Sequence, residues 1–518
     1  MPPTTSLAPE TADHLLAHLS AARWFGGKGR RAVVIGLTPL PWLTSTAEYL
    51  DSAHGLAVRP EVLEVGYPMD SGSGNGGDPG PRELYQLVVA YRHAPQPDLQ
   101  HAEIGRWTDP ELGAVVAYDA MQDPEASSVV LQSLLAERTL RQPEAQVGFH
   151  LSAAEGLSAD LPASVFKGQQ SNTSVMFGEV AMLKVFRRLE LGRNLDIEVH
   201  DALSRTSMAD VAKLYGWVDA SWSHTDPATG HTETLDADLA MVVEKLADAT
   251  DGWGLALDVL GRGTSFAEPA RELGHALAET HAALRTAFPS GLQPGAEVAQ
   301  VMTDRLGVAA AIAPALEPYV AGLQHLFADL GATELTTQRV HGDFHLGQTL
   351  HTPTGWKIID FEGEPAKTLV ERAAPDSVWR DIAGMLRSFD YAAASVPGPG
   401  SREWAQECRT AFLTGYAGGE LTADDAETLR AYEADKAVYE VVYEVRNRPE
   451  WVAIPLGAVG TLVGEIQHDQ ARDADQDQAR DADQDQARDA DQDQARDADE
   501  DQARDATQRR GASNQVKE

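Results

Sequence analysis

The sequence predicts an α+β protein, and three observations predict it. Strand-like runs crowd the stretch from Ala32 to Leu246, and long helical periodicities fill most of the chain beyond it. Among the helices sits Val340–Pro365, V-H-G-D-F-H-L-G-Q-T-L-H-T-P-T-G-W-K-I-I-D-F-E-G-E-P, which reads as strand, loop, strand with its polar residues at the open ends. At 518 residues, 43% of them apolar, the chain suffices for about three domains with real cores.

Charge and cysteine content narrow the function classes. A net charge of −37 is the wrong sign for nucleic acid or an anionic membrane, so neither is expected as a partner. An anionic ligand would need local cations or a metal to offset that field. The lone cysteine, Cys408, forbids an internal disulfide, reads as an inert buried thiol and fits a cytoplasmic, reducing location. Residues 1–10 lack a basic segment followed by an apolar run, so no secretory signal is expected. No stretch approaches the ~20 apolar residues of a membrane span.

Taken in order, residues 11–25 carry Leu15, Leu16, Leu19 and Ala22 at helical spacing, and Gly26–Arg30 break the helix in a turn. Strand-like runs follow at Ala32–Leu37, Glu61–Val65 and Leu84–Tyr91, with a Gly/Ser/Asp-rich loop at Met69–Pro81. Residues 1–93 are read as a small α+β domain without a catalytic set. Residues 94–243 form the next domain, with a helix near Ser127–Arg138 and then strand, polar turn, strand, strand. The turn carries Ser171, Asn172, Thr173 and Ser174, whose hydroxyls and backbone N–H groups suit a phosphate, although an ordinary hairpin turn has the same composition.

Lys184 stands among apolar neighbours on the strand Val180–Phe186, where a lysine is costly unless paired. A helix begins at the candidate N-cap Asn194, and its Glu198 is the expected partner. A strand lysine held by a helix glutamate and touching nucleotide phosphates is the protein-kinase arrangement. By chain order, Glu244 and Leu246 then fall on the linker that meets the adenine. Residues 244–466 are read as a helical lobe. In it Ala267–Ala287 is a long helix whose His281 reads as a satisfied core histidine, and Asp381 is a candidate brace for the loop before it.

In Val340–Pro365, Asp343, Gln348 and Asp360 fall at the spacing that phosphoryl transfer uses. One aspartate orients the attacking hydroxyl and takes its proton, while an amide and a second carboxylate hold magnesium on the nucleotide phosphates. Near the end, Lys436, Tyr439, Glu440, Tyr443 and Asn447 recur at three- and four-residue steps, and Arg448-Pro449-Glu450-Trp451 ends that helix. Aromatic rings beside charged and amide groups suit a sugar, with apolar ring faces and hydroxyl edges. From Gln470 the unit Q-A-R-D-A-D-Q-D repeats through Asp501 without any large apolar residue, so residues 467–518 are read as a disordered acidic tail.

H-G-D-F-H-L-G-Q, I-D-F-E-G-E-P and D-K-A-V-Y-E-V-V-Y-E-V-R-N-R-P-E-W together resemble the bacterial maltokinases, within the wider aminoglycoside phosphotransferase-like kinases. The resemblance runs to about Val463 and implies a two-lobed, protein-kinase-like fold with an additional N-terminal cap domain. It implies ATP- and Mg²⁺-dependent phosphorylation of maltose at its anomeric hydroxyl, giving maltose 1-phosphate for α-glucan (glycogen) synthesis, with trehalose synthase as a partner. Carried over, Asp343 is the catalytic base, Gln348 and Asp360 are metal ligands, and Lys184 binds phosphate. His345, Lys436, Tyr439, Tyr443 and Trp451, with Glu440 and Asn447, stand on the acceptor side. Two departures from the protein-kinase pattern stand out: Gln348 replaces an asparagine, and Glu362 adds a carboxylate after Asp360, as a ligand or just behind one. An amino sugar such as glucosamine is an alternative acceptor, since Glu440 or Glu444 suits an ammonium group. A pseudokinase that only binds partners is the alternative from another class.

Overall fold

The structure is a computed structural model that describes residues 8–464 apart from 53, 69–80, 167–171, 207, 209, 227 and 228. All but Pro81 of the loop expected at Met69–Pro81, Ser171 of the polar turn and the repeat tail lie outside the described residues. The chain divides into two units: one runs to Leu292 and resumes over Leu335–Thr422, the other holds Gln293–Glu334 and the chain from Ala423 onward.

The first unit opens with helix α1 (Pro9–Ala21), which buries Leu15 and Leu19, one turn apart. Strands β1 (Val33–Pro39), β2 (Leu56–Gly66), β3 (Arg82–Arg92), β4 (Glu103–Asp109) and β5 (Gly113–Asp119) build an antiparallel sheet in the order β1-β2-β3-β5-β4, with helix α2 (Thr46–Asp51) between β1 and β2. One face of this sheet packs Leu63, Val65 and Leu87 with Leu15 and Leu19 of α1. The other face, Val58, Val62, Val88 and Ala90, joins the core of the next sheet. With both faces covered, β2 and β3 are buried over most of their length, the polar Arg59, Glu61, Glu64 and Gln86 included. A domain boundary at residue 93 therefore fails, because it would separate β3 from its neighbour β5.

Helix α3 (Pro124–Leu135) starts where the Asp123 carboxylate accepts from the amides of Glu125 and Ala126. The second sheet follows, from β6 (Thr139–Gln142), β7 (Ala145–Leu151), β8 (Ala163–Val165), β9 (Thr173–Phe177) and β10 (Ala181–Val185). After β10 the short β11 (Arg188–Leu189) pairs with β3 of the first sheet instead. Helix α4 (Leu195–Ser204), capped by Asn194 as expected, leads to β12 (Leu214–Thr225) and β13 (Thr232–Glu244). The order β6-β7-β12-β13-β10-β9-β8 puts β10 between β13 and β9.

The helical part holds β14 (Thr250–Asp251), α5 (Gly252–Gly261) and α6 (Ala267–Ala287), which buries Leu273, Leu277, Thr280, His281 and Leu284 on one stripe. The chain leaves this unit along β15 (Gly291–Pro294), forms α7 (Gly295–Ile312) and α8 (Val320–Asp329) of the second unit, and returns along β16 (Glu334–Thr337). The hairpin β17 (Thr349–Thr352) and β18 (Gly355–Ile358), then α9 (Leu369–Ala373), α10 (Trp379–Ser395) and α11 (Ser401–Ala417), complete the first unit. In the second unit, α12 (Ala423–Asn447) packs on α7 and α8, and its Asp435 pairs with Arg305 of α7. No helix among the described residues is long and apolar enough to cross a membrane.

Candidate active site

The residues before β17 form no strand. His341–His345 is an open loop, and only Leu346–Gln348 make a short 3-10 turn. A loop without a ladder needs other partners for its backbone, and α10 supplies them from one stripe. Asp381 accepts from the amides of His341 at 2.7 Å and Gly342 at 2.8 Å, and Ser388 Oγ accepts from the Leu346 amide at 3.1 Å. Between them lies Gly384, where a Cβ would sit 2.5 Å from the Phe344 carbonyl oxygen. Asp381 is fully buried and also takes His281 Nε2 at 2.9 Å. Burial pushes its pKa up, but the hydrogen bond and charge of His281 outweigh this and hold it below the usual carboxylate range. Asp381 is thus the brace expected of it, and His281 is a satisfied core histidine that also bonds Tyr416.

Asp343 is partly buried on this loop, its amide donating to His341 Nδ1 at 3.4 Å. His341 Nε2 meets the Ile359 carbonyl at 2.9 Å, so the loop is tied to the chain that carries Asp360. The His345 ring turns inward on its own loop, with Nδ1 accepting from the Gly347 amide at 3.0 Å. Gln348 stands across the hairpin from Ile359, whose amide donates to the Gln348 carbonyl at 3.1 Å.

Beyond the hairpin, Asp360 takes a left-handed backbone, φ +68°, uncommon for a residue with a Cβ. It and Glu362 reach Lys184: Nζ lies 2.7 Å from Asp360 Oδ1 and 2.8 Å from Glu362 Oε1. Strand alternation explains the lysine's direction. Ala181, Leu183 and Val185 enter the core, so Lys184 points to the other face, where α4 and the acidic loop lie.

The helix partner of Lys184 is Asp196, at 3.1 Å, and not Glu198. Two helical positions are separated by about 200° of rotation, so once Asp196 faces the strand, Glu198 faces away. Glu198 instead pairs with Arg339 at 2.8 Å. Asp196 also accepts from the Phe361 amide at 3.0 Å and lies 3.2 Å from His200, one turn along. Burial raises its pKa, yet Lys184 and His200 overcome this and hold it well below the carboxylate range. For Glu362 burial wins over the pull of Lys184, so its pKa is raised. Burial alone would lower the pKa of Lys184, but Asp196, Glu362 and Asp360 keep it well above its ordinary value.

One oxygen from each of Asp196, Asp360 and Glu362 lies within 4.8 Å of the other two. An all-oxygen set of this kind fits magnesium, a hard cation. The sequence points to Gln348, Asp360 and Glu362 for that role; the structure sets Asp196, not named from the sequence, beside the last two. The available signal was the Asp196–His200 pair, one turn apart at the start of a helix facing the lysine strand.

The remaining nucleotide candidates are placed differently. Thr173 is buried and its hydroxyl accepts from Arg187 Nε at 2.8 Å, so it is engaged inside the protein. Ser174 is buried opposite Lys184, and Asn172 precedes the strand. Glu244 closes on Lys213, donating its amide to that residue's carbonyl at 2.8 Å, and Leu246 packs on the sheet core.

The acceptor-side candidates on the C-terminal segment all lie on or just after α12. Lys436 and Tyr439 are partly buried, with Nζ 5.2 Å from the ring centroid, and Glu440 is buried. Tyr443 is exposed beneath Arg448, which also covers Trp451 and grips Glu444 at 2.9 and 2.7 Å. The Asn447 amide bends back to the Tyr443 carbonyl at 2.8 Å.

Residues 18–123 match the family described as maltokinase N-terminal cap domain, and residues 249–432 match the phosphotransferase enzyme family. A glucosamine kinase of Streptacidiphilus jiangxiensis is 29% identical over 414 residues, 73% of this chain and 90% of that protein. A glucosamine kinase of Mycolicibacterium smegmatis is 25% identical over 57% of this chain and 78% of its own length. A solved glucosamine kinase in complex with glucosamine, ADP and inorganic phosphate shares the fold, with a TM-score of 0.58 at 21% identity over 86% of this chain and 98% of that one. The cap match and most of the phosphotransferase match fall in the unit that holds Lys184 and Asp360, so residues 18–123 resemble a maltokinase N-terminal cap domain and residues 249–432 a phosphotransferase-family domain.

Proposed function

We propose that this enzyme transfers the γ-phosphoryl group of ATP to a sugar hydroxyl in the cytoplasm. The observation that carries the reading is the meeting of Lys184 with Asp196, Asp360 and Glu362 beside a loop, bearing Asp343, whose backbone is held by Asp381. Lys184 neutralises phosphate oxygens. Asp343 orients the acceptor hydroxyl and takes its proton as the sugar oxygen bonds to the γ-phosphorus and the bond to ADP breaks. Asp196, Asp360 and Glu362, with Gln348, would hold magnesium, which supplies charge neutralisation on the triphosphate when bound.

Two acceptors divide the support. Glucosamine is favoured by the relatives of that name, whose similarity reaches 73% of this chain, more than the cap alone. Glu440 and Glu444 are the two acids suited to its ammonium group. Maltose, phosphorylated at the anomeric hydroxyl, is favoured by the cap family, and trehalose synthase is then the natural supplier. ADP release measured with glucosamine, maltose, glucose and aminoglycosides tests the reading, and ³¹P NMR of the product locates the phosphate. No turnover with any of them would sink it.

A further inference from the structure

The strand that carries Lys184 does not end in its own sheet. Three residues beyond Val185, the chain becomes β11, with Arg188 opposite Tyr85 and Leu189 opposite Leu84 of the cap sheet. Between the two strands stands Arg187, whose side chain is wholly buried. Its Nη2 lies 2.8 and 2.6 Å from the two carboxylate oxygens of Asp119 at the end of β5, and its Nε donates to Thr173 Oγ1 at 2.8 Å. Its carbonyl accepts from the Gln86 amide at 2.8 Å, and the Trp24 ring lies 5.1 Å from the guanidinium.

This guanidinium therefore joins three strands. Asp119 belongs to the cap, Thr173 to β9, and Arg187 itself extends β10. Thr173 is registered with Val185, and the next rung pairs Ser174 with Lys184. The clamp is one rung from the lysine. A buried ion pair adds little stability over apolar packing of equal volume. What it supplies is directionality, because a planar fork accepts partners only in its own plane.

We propose that Arg187 is a positioning residue through which the cap domain sets the place of Lys184, and so the enzyme's grip on the nucleotide phosphates. The inference rests on the kinase reading above and extends it to the cap. Asp119 fixes the guanidinium from the cap side, and the guanidinium fixes the β9–β10 rung beside the lysine.

The test uses the full chain, with ADP·Mg²⁺ affinity by calorimetry, KM for ATP and for the sugar, and Tm. Thr173→Val keeps the side-chain shape and removes the hydroxyl. Arg187→Lys keeps the charge beside Asp119 and removes the Nε donor. Each is expected to weaken ADP·Mg²⁺ about tenfold, the scale of one hydrogen bond to a charged group, and to raise KM for ATP alike with KM for the sugar unchanged. The double variant is expected to be no weaker than either single one, since both break one contact. Asp119→Asn, which perturbs the guanidinium from the cap, is expected to weaken nucleotide binding in the same way should Arg187→Lys not fold. A lower Tm with unaltered nucleotide affinity would make Arg187 a folding joint only and overturn the inference. Loss of affinity in Thr173→Val alone would mean that Thr173 touches the nucleotide itself, and would overturn it too. A wild-type chain that binds no ADP would overturn the kinase reading first, which separates that failure from this one.

Discussion

Lys184 meets Asp196 at 3.1 Å between β10 and α4, while Glu198, two residues along the same helix, reaches Arg339 at 2.8 Å. The first contact lies in the cluster that would face the triphosphate. The second ties α4 to the chain before the loop that bears Asp343. Asp196→Asn is expected to lower kcat/KM for ATP by about a hundredfold or more, and Glu198→Gln by less than about tenfold. Steady-state kinetics on the two variants decides, and equal losses would contradict the assignment.

A lysine ammonium and a divalent cation seek the same oxygens. Lys184→Met is expected to abolish turnover and yet to raise the affinity of nucleotide-free protein for Mn²⁺, because Asp196, Asp360 and Glu362 lose their shared cation. Mn²⁺ titration followed by electron paramagnetic resonance measures this directly. Weaker Mn²⁺ binding in the variant would exclude competition between lysine and metal.

Asp343→Asn removes the proton acceptor of the proposed reaction and keeps the shape of the side chain. The expected result is a fall in kcat of about 10³-fold with ADP affinity within about twofold of the wild type, read by calorimetry beside kinetics. Lost nucleotide affinity at unchanged turnover per bound ATP would reassign the residue.

Gly384→Ala places a methyl group 2.5 Å from the Phe344 carbonyl oxygen, and neither helix backbone nor braced loop gives way easily. A stability loss of about 1–3 kcal/mol is expected, together with a lower kcat, since the loop that moves carries Asp343. Gly307→Ala is the control: it lies in α7 with nothing near its missing Cβ, so a gain of up to about 1 kcal/mol is expected. Urea midpoints for both variants and kcat for Gly384→Ala check the contrast.

Asp210 and Glu279 face one another at a cavity of about 740 Å³ lined also by His275, His351 and Trp356. Burial, then the Glu279 carboxylate, pushes the Asp210 pKa up to about 6, against Lys357 and His275, which pull it down. A raised carboxyl means that the folded protein holds a proton the unfolded chain has released. The resulting stability is fully present below about pH 4 and is lost as pH rises through about 6. For this half-exposed group the effect is about 1 kcal/mol after solvent screening. Urea midpoints from pH 4 to 7 are expected to show this decline in the wild type relative to Asp210→Asn, and parallel profiles would count against it.

Local chemistry made some elements legible and long-range geometry hid others. Helix α6 ends where its stripe of Leu273, Leu277, Thr280, His281 and Leu284 ends, because burial repeats with the helical period. The Asn194 cap was legible for the same local reason. Periodicity could not tell Asp196 from Glu198, since both are acids in the first helical turn and only the strand opposite chooses between them. The residues before Gln348 resemble a strand because Val340, Phe344 and Leu346 are buried, but their backbone is held by Asp381 and Ser388, some 40 residues downstream. The end of the cap was misjudged because β4 and β5 declare their sheet only by pairing, which short apolar runs do not encode.

The strand β11 has a consequence for how the chain is made and recombined. The cap sheet receives Arg188 and Leu189 from beyond the lysine strand, so a ribosome that has released everything through β5 has still not delivered its last strand. A chimera spliced after residue 123, where the cap family match ends, would strip the Gln86 amide of the Arg187 carbonyl and Asp119 of its guanidinium. The heritable unit is the cap together with the sheet that holds Lys184, and an exchange between related enzymes that preserves function is expected to cross over after Glu244, where β13 completes that sheet.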